Sequence, residues 1–173
     1  MHSEIFMKPP TLFVIHFDQC DPKKCTSLKL KKFNLVQFVP KIRFLPKNTI
    51  ILDPYSSTVL SLNDKPLIEQ SGLAVIDCSW NHAKEIFKNF RTGRKLPKLL
   101  AANSVNYGRW EKLTSAEAFS AALYIIGYTS HAELILSKFT WGHAFFELNY
   151  AILSELLDAK NKVQREGFEP PNY

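Results

Sequence analysis

Three segments of the chain concentrate side chains that can do chemistry. Asp77-Cys78-Ser79-Trp80 offers a carboxylate, a thiol, a hydroxyl and an indole directly after the apolar run Leu73-Ala74-Val75-Ile76. An indole just beyond a strand can lay its face against a cation or a flat ring, an attraction of about 0.5–2 kcal/mol depending on desolvation, or it can be a core tryptophan. Residues Asp18 to Thr26 follow another apolar run, Leu12-Phe13-Val14-Ile15-His16-Phe17, and combine two carboxylates, two thiols and two lysines. Leu99 to Arg109 passes from an apolar stretch into a polar turn, where small residues and Gly108 let backbone groups approach a ligand closely.

Familiar catalytic sets are missing. There is no Walker loop, no G-x-G-x-x-G, no G-x-S-x-G and no H-E-x-x-H, so hydrolase and kinase readings lose support. His2, His16, His82, His131 and His143 are isolated in sequence and read as surface or satisfied core residues. Cys20, Cys25 and Cys78 are an odd number of thiols, which argues against a secreted disulfide framework. Four residues separate Cys20 from Cys25, a spacing metals occasionally use, but a four-thiolate site needs partners that the chain does not offer nearby. Packed thiols and no metal are the expectation.

The net charge of +6 hides an asymmetry: residues 1–110 hold 17 Lys/Arg against 8 Asp/Glu, residues 111–173 hold 5 against 8. Lys23, Lys24, Lys29, Lys31, Lys32, Lys41, Arg43 and Lys47 stand in one stretch without a carboxylate, and Lys84, Lys88, Arg91, Arg94, Lys95 and Lys98 form a second cluster opposed only by Glu85. Such surfaces attract phosphate backbones and release counterions on binding; the plainer alternative is a solvated basic face. No run of about 18 apolar residues exists and Met1 to Pro10 lacks the apolar core of a signal peptide, which makes a cytoplasmic protein without membrane contact the expectation.

The elements that must position these groups can be read from periodicity. Leu12–Phe17, Leu35–Val39, Thr49–Leu52, Leu73–Ile76 and Pro97–Ala102 predict five short buried strands. Between them the spacing predicts a basic helix Ser27–Lys32 capped by Thr26, a short helix near Asn63–Gln70 ended by Gly72, and a helix opening at Asp77–Trp80 and running to about Phe90. Strands alternating with helices predict an α/β fold with a mostly parallel sheet, whose ligands bind beyond the carboxyl ends of the strands. From Thr114 the pattern turns all-helical. Thr114-Ser115-Ala116-Glu117 is a capping box before Ala118–Gly127, and Ser130-His131-Ala132-Glu133 repeats the signal before Leu134–Phe139. Phe145, Leu148, Ile152 and Leu156 then mark one face of a long helix ending near Lys160. The expected organisation is an N-terminal extension 1–11, an α/β lobe 12–102 with a basic RNA-facing surface, a helical lobe 103–160 and a tail 161–173.

Four segments, in order, carry a resemblance. His16 to Leu30, Leu73 to Trp80, Leu100 to Gly108 and Phe139-Thr140-Trp141-Gly142 resemble the small-subunit (16S/18S) rRNA aminocarboxypropyltransferases of ribosome biogenesis, over a match from about Leu12 to Leu157. Ser104 stands where the family usually has proline, which bears on loop stiffness more than on chemistry. The short tail points to an archaeal-type member. The resemblance implies a SPOUT-like fold with a trefoil knot and S-adenosylmethionine (SAM) held at the knotted loops between the two lobes. It also implies transfer of the 3-amino-3-carboxypropyl group to N3 of a uridine or pseudouridine in small-subunit rRNA or a pre-ribosomal particle, releasing methylthioadenosine.

By the same resemblance Trp80 covers the methyl of SAM, and Leu52, Pro54, Leu100 and Leu113 surround the adenine. Backbone near Ile76 holds the ribose, and Thr26 contacts the amino-acid end. Asp77 is the nearest carboxylate and the candidate base, though an ordinary Asp, at a pKa of about 3.9, is a poor one for so weak an acid as N3–H. RNA is expected over Lys23, Lys24, Lys29, Lys31, Lys32 and Arg43. The helical half is long enough to bury the site, so a monomer is expected. Two rivals stay open: an RNA methyltransferase using the same knotted site, and an assembly factor that binds RNA without chemistry.

Overall fold

The computed structural model describes residues 8–17, 23, 25–77 and 90–156. The expected helix from Asp77–Trp80 to Phe90 and the tail 161–173 lie outside the described residues, as do Cys20, Lys24, Cys78 and Trp80 themselves.

Five parallel strands form one sheet: β1 (Leu12–His16), β2 (Gln37–Val39), β3 (Ile50–Leu52), β4 (Leu73–Asp77) and β5 (Gly93–Arg94), in the order β2-β1-β4-β3-β5. Strands buried on both faces read as continuous apolar runs, as LFVIH and LAVID do. Alternation then divides them. Phe13, Ile15, Ile51, Ala74 and Ile76 pack on one face, while Leu12, Val14, Ile50, Leu52, Leu73 and Val75 join the main core on the other. In the register of β1 with β4, His16 stands opposite Asp77 at the carboxyl ends of the two central strands.

The fifth strand is not where the sequence placed it. Pro97–Ala102 lies outside the sheet, whose edge is β5, and Leu100 makes only an isolated antiparallel bridge to Trp110. Pro97 has no amide to donate. The backbone beyond it is satisfied by side chains and by its own return: Asn149 accepts from the Leu100 amide at 2.7 Å and donates to the Leu100 carbonyl at 2.9 Å.

Helices cover the sheet. They are α1 (Thr26–Lys32), α2 (Lys65–Ser71), α3 (Ser115–Ile125), α4 (Thr129–Ser137) and α5 (Gly142–Leu148), with residues 150–156 again helical. The capping box at Thr114 forms as its sequence predicts, the hydroxyl accepting from the Glu117 amide and the Glu117 carboxylate from the Thr114 amide. The second predicted box does not form. Gly127, at φ +95°, turns the chain so early that α4 starts at Thr129, and Ser130 falls inside its first turn. The long last helix is broken at Asn149, which is 1% exposed and turned to Leu100.

Thr26 is likewise not a cap of its own helix. It is the first residue of α1, and its hydroxyl accepts from the Ala116 amide at 3.2 Å. That amide is one of the donors that the first turn of any helix leaves unpaired, so α1 caps α3 across 90 residues of sequence. α3 packs on α1, α4 and β4, and one core runs from Leu12 to Leu153.

Two glycines are required by close approach. A Cβ on Gly72, at φ +92°, would lie 2.6 Å from the Phe13 ring and 2.9 Å from the Thr11 carbonyl. At Gly142 it would lie 1.9 Å from the Leu136 carbonyl oxygen, so the start of α5 can cross the end of α4 only without a side chain. Gly142→Ala should therefore lower stability by about 2 kcal/mol or more, as overpacking against rigid backbone does. Denaturant melts of the two proteins check this; an unchanged midpoint would show that the α4–α5 crossing can open without cost.

Candidate active site

A cleft of about 470 Å³ opens beyond the carboxyl ends of β3 and β4. Leu52, Asp53 and Pro54 leave β3 along one side, Val75, Ile76 and Asp77 form the floor, and residues 95–97 with Leu99 continue the wall. Trp110 to Ser115 and Ala118 close it from the side of α3. The volume suits a ligand of nucleoside size or somewhat larger. The lining mixes apolar side chains, among them Leu52, Pro54, Leu96, Leu113 and Ala118, with the polar Asp53, Asp77, Lys95, Lys112, Thr114 and Ser115.

Asp77 is held by its neighbours. Ser27 donates to Oδ2 at 2.6 Å, the Cys25 thiol lies 3.6 Å from the same oxygen, and His16 Nε2 lies 3.5 Å from the thiol and 3.9 Å from the carboxylate. Among the described residues every hydrogen bond to this carboxylate falls on Oδ2. His16 stacks on Phe38 at 5.2 Å, which fixes the imidazole plane. The donor atoms of His16, Cys25 and Asp77 lie within 4.8 Å of one another. Sequence separation hid this cluster. Its one legible sign was that His16 and Asp77 both end apolar runs.

The second acidic group is Asp53, 4% exposed, whose Oδ1 accepts from the Tyr55 amide at 2.8 Å. Burial pushes its carboxyl above the ordinary range, against the opposing pull of that amide. The third is Glu117, fully buried just behind the α3 wall. It accepts from the Ala102 amide at 2.6 Å, Asn103 Nδ2 at 2.8 Å, and the Thr114 amide and hydroxyl at 3.0 Å each. Asn103 in turn donates to the Lys112 carbonyl at 3.1 Å. One carboxylate thus fixes the end of the 99–103 segment against the wall of the cleft.

Of the residues expected at the cofactor, the fold brings Leu52, Pro54, Ile76, Asp77 and Leu113 together in this cleft. Leu100 is not on the lining; its neighbour Leu99 is, while the Leu100 backbone faces Asn149. Thr26 is buried beside Ala116 and spends its hydroxyl there. Lys23, Lys29, Lys31, Lys32 and Arg43 are exposed on and around α1. Lys29 lies 5.0 Å over Phe139, Lys31 4.6 Å over Phe38 and Arg43 5.0 Å over Phe44. In the second basic cluster Arg94 is structural, paired with Asp64 at 3.1 Å.

The fold and the cleft define an α/β ligand-binding protein with its site at the strand ends. Comparison with known proteins sharpens this. Residues 50–167 match the family model described as "Ribosome biogenesis protein, C-terminal". A protein named 16S rRNA aminocarboxypropyltransferase from Methanosarcina acetivorans is 47% identical over 157 residues, 88% of each chain. Another of the same name from Methanocaldococcus jannaschii is 42% identical over 157 residues, 90% of this chain and 91% of its own. The structure titled SAM-dependent rRNA:acp-transferase Tsr3 from Vulcanisaeta distributa superposes with a TM-score of 0.83 at 37% identity, covering 88% of this chain and 85% of that one. The chain belongs to the 16S rRNA aminocarboxypropyltransferase family. Residues 10–41 also match a possible Fer4-like domain in RNase L inhibitor; that segment holds Cys20 and Cys25, two of the four thiolates an iron–sulfur cluster takes.

Glu117→Gln should cost about 2–3 kcal/mol of stability, because its amide would face the amide donors that the carboxylate now accepts from. Urea unfolding measures it. A loss below about 0.5 kcal/mol would mean that the donors find other partners and that Glu117 does not hold the wall.

Proposed function

We propose that this chain transfers the 3-amino-3-carboxypropyl group from SAM to N3 of a uridine or pseudouridine in small-subunit rRNA during ribosome maturation, in the cytoplasm and as a monomer. The observation that carries this reading is that Leu52, Pro54, Ile76, Asp77 and Leu113, expected at the cofactor from the family resemblance, line one cleft of fitting size. In this reading Leu52, Pro54 and Leu113 enclose the adenine and the backbone at Ile76 meets the ribose. Trp80 covers the methyl, and Leu99 takes the lining position expected of Leu100. Thr26 acts at one remove, by fixing the first turn of α3. The fold is SPOUT-like and knotted, with an α/β lobe 12–102 and a helical lobe 103–160 meeting at the cleft.

Bound SAM supplies a sulfonium-activated carbon, so that the N3–Cγ bond forms as the Cγ–S bond breaks and methylthioadenosine leaves. The protein's part is geometry, since presenting Cγ rather than the methyl decides the product. Asp77 Oδ1, set by Ser27 on the other oxygen, faces the N3 proton as acceptor or orienting group. Lys23, Lys24, Lys29, Lys31, Lys32 and Arg43 hold the RNA backbone.

The test is the mass of small-subunit rRNA fragments treated with the protein and SAM. An added aminocarboxypropyl group is expected, with Asp77→Ala slowing transfer while sparing SAM affinity in calorimetry. An added methyl would make the chain a methyltransferase, and no SAM binding would leave only an RNA-binding factor.

The reaction also runs without a metal in this reading, because a sulfonium leaving group needs no Lewis acid and Asp77 is oriented by Ser27. His16, Cys25 and Asp77 are nonetheless a donor set that zinc accepts. Elemental analysis of the purified protein should find no stoichiometric metal and chelator should leave transfer unchanged; one equivalent of zinc, lost together with activity, would reassign the cluster.

A further inference from the structure

The hairpin of residues 99–111 is braced at its base and apolar at its tip. The Ala101 amide donates to Arg109 at 2.8 Å, Gly108 to Ala101 at 2.7 Å and Glu111 to Leu99 at 2.9 Å. Asn103, 3% exposed, accepts from the amides of Val105 and Asn106 at 3.1 and 2.9 Å while its own amide group reaches Lys112 and Glu117. Buried polar groups therefore hold the turn in one shape. Yet Tyr107 is 63% exposed, Val105 63% and Trp110 47%, and Trp110 also lines the mouth of the cleft. Three large apolar side chains exposed within six residues on a braced turn are available to a binding partner.

The charge around them selects the partner. Lys98 Nζ lies 5.2 Å over the Trp110 ring, Arg109 is exposed within the turn, and Lys95 and Lys112 stand on the cleft lining, against one exposed carboxylate, Glu111. Aromatic faces interleaved with cations take unpaired nucleotides, the rings stacking bases and the cations meeting phosphates. A purely apolar protein partner would leave those cations unpaired, and a duplex would offer no free base faces to stack.

We propose that Tyr107 and Trp110 form a stacking platform for the unpaired nucleotides flanking the one that enters the cleft. This rests on the RNA reading above and adds a second contact region to the basic surface on α1. Stacking fixes the flanking bases, so the platform sets the register of the RNA while the lysines of α1 supply backbone attraction without register.

The test uses the full chain, a fluorescently labelled ten-nucleotide oligouridylate and an RNA duplex of equal length, read by anisotropy. Tyr107→Ala and Trp110→Ala should each weaken oligouridylate binding between about fivefold and a hundredfold, with Tyr107→Phe and Trp110→Phe keeping most of it. Duplex affinity and the salt slope should stay as in the parent in all four variants, because no phosphate contact is removed, and SAM affinity should stay in the Tyr107 variants, whose side chain is not on the cleft lining. Oligouridylate binding within twofold of the parent in both alanine variants would overturn the platform. So would equal losses in the alanine and phenylalanine variants, or a loss of oligouridylate binding confined to Trp110→Ala and matched by its loss of SAM affinity, which would leave Trp110 a wall of the cofactor site alone. Product mass separates the two readings: a protein that transfers no group but loses oligouridylate binding in the variants keeps the platform and loses the enzyme.

Discussion

The Glu117 carboxylate is the interaction on which the cleft depends. A buried anion is costly unless fully paired, and this one accepts four hydrogen bonds from three residues that are distant along the chain or belong to a helix end. It sits at the third position of α3, where the helix dipole also favours negative charge. The consequence is geometric. The 99–103 segment, which belongs to no sheet, is fixed to the helix that walls the cleft, and through Asn103 the same group shapes the turn that exposes Tyr107. The sheet supplies the floor; this carboxylate supplies the wall and its distance from the floor.

The floor has its own device. Parallel pairing of β1 with β4 puts His16 opposite Asp77, and α1 returns Cys25 and Ser27 to the same place. Asp77 is thereby oriented before any ligand arrives, with one oxygen committed to Ser27. Asp53, raised by burial, is the contrasting acid: its environment disfavours charge, and a cation entering the cleft would favour it.

Local signals were legible and long-range ones were not. The apolar runs at Leu12 and Leu73 gave strands because length and flanks suffice, and Thr114 to Glu117 gave a cap because both partners lie three residues apart. The second use of Glu117 was invisible, since Ala102 and Asn103 are 15 and 14 residues away and carry no mark of it. Pro97–Ala102 read as a strand on composition, but its hydrogen bonds go to Asn149 and Glu117, which periodicity cannot see. Ser130 matched a capping pattern that Gly127 pre-empted. Thr26 was assigned to the nearest helix when its partner was an amide 90 positions on. The site residues came from the family resemblance, which carries the outcome of long-range contacts without deriving them; five of them stand on one cleft, and Leu100, in the segment misread as a strand, stands one residue from its lining.

The basic surface shows why charge alone describes it poorly. Lys29 stacks on Phe139, Lys31 on Phe38 and Lys138 on Phe33, so their stems and ammonium groups cover aromatic rings of α1, β2 and the α4–α5 turn. Such pairs contribute about 0.5–1 kcal/mol each at exposed sites and leave the ammonium in water. Lys29 and Lys138 therefore join the two halves of the chain, and in the proposed RNA reading the lysines of α1 also present charge to a phosphate backbone. Their stems are ordered on aromatic rings before any phosphate arrives, so less side-chain freedom is left to lose on binding than a free lysine would lose. In the proposed RNA reading, rigid carriers of charge on α1 and rigid carriers of aromatic faces at 99–111 serve the same end, a surface whose shape is set before the nucleic acid meets it.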